Sequence, residues 1–274
     1  MSTSTGYLYE HLTPRVLMED MAFSESAPRP GQRLPAFELP SVDGGTIRSA
    51  DFTGKRPLLL ITGSLTCPMT ASANPLLKDL HRAFGSQIAF VTLHVREAHP
   101  GEQHEQPRTL AQKMAHARQL KLRDRLPWPI VVDDTDGLVH RALDRKPNAV
   151  YLTDRNGVII YRGLWAGDAK GLTRALESAA RDELPAEQES LRRLRPLAMG
   201  VGMLRGMTEA SGLRAQRDLW RAAPPVAVVA WLAHLFRPMQ PQLRTVAAAA
   251  AVSAAAAIAL SMAIRRHRNT RRRR

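Results

Sequence analysis

The chain has 274 residues, enough for one ordinary domain with appendages or for two small ones. Its formal charge is +14, but seven arginines sit in the last ten residues, and no basic stripe interleaved with aromatics marks a specific nucleic-acid groove. A single cysteine, Cys67, excludes an intramolecular disulfide framework and a cysteine-rich zinc site.

Residues 1–30 form an N-terminal arm without the basic start and continuous apolar run of a secretory signal, which argues for a cytoplasmic domain. Residues 31–183 then read as one α/β unit. "FELPSVDGGTIRS" predicts a hairpin turning at Asp43-Gly44-Gly45. "RPLLLITGS" is a strand buried on both faces, and Leu76, Leu77, Leu80 and Phe84 give Pro68 to Phe84 helical spacing. "IAFVTLHV" is a second buried strand, followed by the polar loop "REAHPGEQHEQP". A helix over 108–122, a strand at "WPIVVDD" and a short helix at "GLVHRALD" come next. "AVYLTDRNGVIIYRG" is a hairpin around Asn156-Gly157, and the helix of "GDAKGLTRALESAARDE" closes the unit. This order implies a central mixed sheet covered by helices on both faces.

Residues 184–223 read as a basic helical linker. Two apolar stretches follow within 224–264. The second, 246–264, runs 19 residues without a charge, the length that crosses a hydrocarbon core of about 30 Å. With the Arg-rich tail 265–274 on anionic headgroups, it predicts membrane association. Arg237 and Arg244 between the stretches favour a shallow hairpin over a double crossing, with the preceding domain on the cytoplasmic side.

Cys67 falls where the first central strand turns into its helix, with Pro68 at the first helical position. As N-cap it faces unpaired backbone donors and the positive end of the helix dipole, which lowers a thiol pKa. The alternative is a small buried hydrophobe.

The surroundings resemble the thioredoxin-like redoxins, a superfamily that includes the peroxiredoxins. Pro75 matches the proline inside their first helix, and Pro147 stands where they keep a cis proline beside the reactive sulfur. Within that superfamily the chain resembles the iodothyronine deiodinase family over about residues 31–180. "GSLTCP" is similar to the family's Gly-Ser-x-Thr-selenocysteine-Pro, and "REAHPGE" to its Glu-Ala-His loop. "WPIVVDD" and "RKPNAVYLTDRNGVIIYRG" are similar to its later strand and terminal hairpin.

The resemblance implies a thioredoxin-like fold and a one-cysteine thiol oxidoreductase. Cys67 would attack a small-molecule electrophile, either a peroxide, an organohalide or a disulfide. Glu97 and His99 would handle protons, and His116 matches a second family histidine. Ser64, Thr66, Pro68, Pro147 and His116 would line the substrate pocket. No metal or nucleotide motif is present, so the expected cofactor is none beyond an external thiol reductant, thioredoxin or a low-molecular-weight thiol.

Several positions depart from these families. Leu65 stands where some deiodinases carry a second cysteine, and the Asp-Gly-Trp continuation after the Glu-Ala-His loop is missing. Leu60, Ser64 and Asn148 replace the peroxiredoxin proline, threonine and arginine. Thr70, three residues after Cys67, excludes a Cys-x-x-Cys exchange centre. A non-catalytic, membrane-tethered binding domain with an inert Cys67 stands as the rival reading.

Overall fold

In the computed structural model, which describes residues 6–272, the N-terminal arm forms a short helix, α1 (Pro14–Glu19). Side chains of residue 256, residues 258–260 and all residues from 263 on lie outside what is described, and with them the side chains of the arginine tail. Thr13 caps α1 by accepting from the Val16 amide, and Pro14 occupies the first turn, where a missing N–H costs nothing. The predicted hairpin follows as β1 (Glu38–Pro40) and β2 (Thr46–Arg48). Gly44 and Gly45 turn it at φ of 96° and 70°, a region that disfavours other residues.

β3 (Leu58–Gly63) leads into α2 (Pro68–Phe84), then β4 (Ala89–His94), α3 (Leu110–Asp124), β5 (Ile130–Val132) and α4 (Leu138–Ala142). The hairpin β6 (Val150–Thr153) and β7 (Ile159–Gly163) precedes α5 (Ala169–Ala180) and the two-residue β8 (Glu189–Ser190). The main sheet has the order β5-β4-β3-β6-β7-β8. β3, β4 and β5 run parallel, while β6 is antiparallel to both β3 and β7. This mixed sheet covered by helices is a thioredoxin-like fold.

Strand alternation builds both core layers. Leu59 and Ile61 of β3 pack with Leu77 and Leu80 of α2 and Leu172 and Leu176 of α5. Leu58 and Leu60 point the other way, among Phe37, Leu39, Val139 and Leu143. Both faces being covered, the strand reads as an unbroken apolar run rather than an alternating one.

Residues 194–272 add four helices: α6 (Leu194–Ser211), α7 (Leu213–Ala222), α8 (Pro224–Leu235) and α9 (Pro241–Arg272). α6 packs directly on α2. A Cβ on Gly200 would stand 2.2 Å from the Met69 sulfur, so the two helices meet closely beside Cys67. Glu102, in the loop after β4, accepts from the Leu213 and Arg214 amides at 2.8 Å each, capping α7.

No helix among the described residues is long and apolar enough to cross a membrane. This corrects the expectation of a transmembrane or hairpin anchor at 246–264, and the membrane partnership and membrane-associated localisation drawn from it. Charge-free length misled, because the stretch is mostly alanine, whose methyl group carries little apolar surface. Only the start of the helix containing it docks on protein, while the described side chains from Ala249 on are exposed. Thr245 Oγ1 donates to the Ala198 carbonyl at 2.6 Å, and Ala248 is fully buried.

The tightest point of that docking gives a test. A Cβ on Gly202 would meet the Pro241 carbonyl oxygen at 2.1 Å, and backbone cannot swing aside as a side chain can. Gly202→Ala is expected to destabilise the protein by about 1–3 kcal/mol, as overpacking does. An unchanged Tm would show that α9 does not lie on α6 in solution.

Candidate active site

Cys67 is the N-cap of α2 with extended backbone, and Pro68 takes the first helical position as the sequence predicts. Its electrostatics reverse the expectation. The residue is 1% exposed, packed with Met69, Ala98, Leu164 and Trp165. Burial pushes the Cys67 thiol up to about 11, against the pull of the Thr70 hydroxyl and the Met69 and Thr70 amides. Desolvation of the charged form outweighs the helix end, so at neutral pH the resting group is a thiol.

Behind the cysteine loop, the Glu-Ala-His loop is held by a buried carboxylate. Thr66 donates through its amide and its Oγ1 to Glu97 Oε2, both at 2.8 Å, and Thr66 Oγ1 accepts from the His99 amide at 3.0 Å. Glu97 Oε1 lies 2.8 Å from His116 Nδ1 and 3.4 Å from His94 Nε2. Burial works to raise the Glu97 pKa, yet His116 and His94 beside it hold the carboxyl well below the usual range. Ser64 Oγ accepts from the Ala98 amide at 3.3 Å. Glu97 therefore bonds Thr66 and His116, and clasps the two loops together. Its contact with His99 runs through Thr66 to the backbone, not to the imidazole.

Cys67, Pro68, His99 and Pro147 line one half-open cavity of about 420 Å³. Ser64, Thr66, Glu97 and His116 do not reach its lining. Among the described residues no peptide bond is cis, which corrects the expected cis Pro147; the trans form is the ordinary one. Burial lowers the His99 pKa to about 4, so its ring is neutral at pH 7. His99 Nδ1 and the Trp165 Nε1 are both buried without a hydrogen-bond partner.

Sequence reasoning missed the opposite wall. α1 and the residues around it contribute Leu12, Leu17, Asp20 and Met21, and α6 contributes Leu197, Val201 and Leu204. The arm is pinned by long-range bonds. Tyr7 Oη lies 2.8 Å from His140 Nδ1, Lys146 Nζ donates to the Glu19 carbonyl at 2.5 Å, and His11 pairs with Asp218 of α7 at 3.0 Å. Asp20 is 9% exposed in the same cavity as Cys67, and burial raises its pKa to about 7 against the opposing pull of Arg96 and Lys146. Nothing in "MEDMAF" distinguishes this aspartate from a solvated one; only the packing above it does. Among the described residues no group of three His, Cys, Asp or Glu could hold a metal ion.

Over 96 residues the chain is 29% identical to the methylamine utilization protein MauD of Paracoccus denitrificans, covering 34% of this chain and 46% of that protein. The chain thus spans about half the length of that curated relative. An uncharacterized conserved protein of Geobacillus kaustophilus superposes with a TM-score of 0.49 at 19% identity, covering 62% of this chain and 92% of that one. A thiol:disulfide interchange protein DsbE, so described as putative, from Chlorobium tepidum gives 0.44 at 18%, covering 58% and 99%. Residues 16–174, more than half of the chain, match the iodothyronine deiodinase family, and the chain belongs to that family.

Proposed function

We propose that the protein is a one-cysteine thiol oxidoreductase that reduces a small-molecule electrophile at Cys67 and is returned to the thiol by an external thiol. One observation carries the reading: the single cysteine, a titratable carboxyl and a neutral imidazole line the same cavity at a helix N-terminus. At 1% exposure the sulfur is closed to the surface of a folded partner, which supports a small substrate over a protein disulfide.

A thiol that rests protonated needs a base as the electrophile arrives. Asp20, with its pKa near 7, is balanced to accept that proton and to return it to the leaving group. His99, neutral at pH 7, is suited to hydrogen-bond the electrophile rather than to store charge. The oxidised cysteine then meets one external thiol to form a mixed disulfide, and a second thiol releases it. The rival, a binding domain with an inert thiol, draws on the raised thiol pKa alone.

Two variants separate these readings. Cys67→Ser is expected to abolish electrophile consumption in the presence of dithiothreitol; undiminished turnover would remove the enzymatic reading. Asp20→Asn is expected to lower turnover by roughly 10²–10⁴, the range for a lost acid–base group, and to erase the rise in rate as pH climbs through about 7. The groups that tune that rise are Arg96, Lys146, Glu19 and Asp144.

The same substitution has a stability readout. A carboxyl whose folded pKa lies above its unfolded value stabilises the fold below the unfolded pKa, and that stability is lost as pH rises through the folded one. Asp20→Asn should therefore raise stability at pH 8 by about 1–4 kcal/mol and have little effect at pH 4. A pH-independent change would show that Asp20 is not buried as described.

A further inference from the structure

We propose that the cavity over Cys67 takes an apolar organic hydroperoxide, its hydrocarbon body lying between α1 and α6 and its O–O bond reaching the sulfur. This rests on the thiol-oxidoreductase reading above and names its substrate class. At about 420 Å³ the cavity falls in the size range of small-molecule sites, and Leu12, Leu17 and Met21 from in and around α1 line it together with Leu197, Val201 and Leu204 of α6. Hydrogen peroxide would gain nothing from such a wall and would lose its hydration on entry. A hydrocarbon body gains about 0.8 kcal/mol for each methylene buried.

The cavity also has a polar end. Asp20 and His99 share the cavity lining with Cys67, and His99 Nδ1 and the indole N–H of Trp165, another lining residue, lack partners within the protein. A hydroperoxide carries two acceptor oxygens and one donor hydrogen to offer such groups. Anionic substrates fit poorly, since among the described residues no lysine or arginine lines the cavity while Asp20 does.

The protons balance within the cavity. In the step RO–OH + Cys67–SH → Cys67–SOH + ROH, an S–O bond forms and the O–O bond breaks. Sulfur loses two electrons and the peroxide gains them. Asp20 carries the thiol proton to the departing alkoxide, so one carboxyl serves both ends and returns to its starting state. Two external thiols then reduce the sulfenic acid, releasing water and their own disulfide.

The test uses the reduced full-length chain with dithiothreitol, comparing kcat/KM for cumene hydroperoxide and for hydrogen peroxide. The expected preference for cumene hydroperoxide is at least about tenfold, and Val201→Trp, which fills the cavity, should shrink it towards one. Independently of that variant's folding, the unreactive alcohol 2-phenyl-2-propanol should slow iodoacetamide alkylation of wild-type Cys67. Equal rates for the two peroxides without protection by the alcohol would overturn the substrate class and leave the thiol-oxidoreductase reading standing. Protection by the alcohol with no oxidation of Cys67 by either peroxide would overturn the chemistry itself.

Discussion

The site depends on one competition at the N-terminus of α2. The helix end and the amides of Met69 and Thr70 favour a thiolate at Cys67, while removal of that charge from water disfavours it. Desolvation wins because α6 closes on α2 through Gly200 and the N-terminal arm closes from the other side. The consequence is chemical. The cysteine motif places Cys67 at a helix start, and a cover here keeps its thiol neutral at rest. On the proposed reading, catalysis needs a proton acceptor inside the cover, and Asp20 is a carboxyl in the cavity's lining.

A buried acid network lies behind the cysteine loop, outside the cavity's lining. Glu97 is fully buried, and its bonds to Thr66 and His116 fix the loop 96–99 against the cysteine loop. Losing such a carboxylate would leave buried donors unpaired, so its loss would fall on positioning before it fell on proton transfer. The loop continues to Glu102, which caps α7. Through that cap the Glu-Ala-His loop and the C-terminal helices hold one another, and the residues after 183 take part in building the site.

Much of the fold was legible because it is written in local patterns. The runs "LLLITG" and "AFVTLH" are buried strands whichever way they pair, and Asn156-Gly157 turns a hairpin by its own chemistry. Cys67 as N-cap was legible for the same reason, since Pro68 marks the helix start. The trans Pro147 aside, the failures involve contacts distant in sequence. The sign of the Cys67 shift depends on α1 and α6, some fifty and more than a hundred residues away. Asp20 gains its raised pKa from the same closure. The alanine-rich stretch was judged by its length without charge, whereas Thr245 and Ala248 hold only the start of its helix against α6.

The most direct test of this account is the ionisation of Cys67 itself, followed by thiolate ultraviolet absorbance against pH, with Cys67→Ser subtracted. The account predicts no thiolate through neutral pH and a single transition near 11, because burial dominates the helix end. A transition below about 7, as helix-capped reactive thiols show, would contradict it.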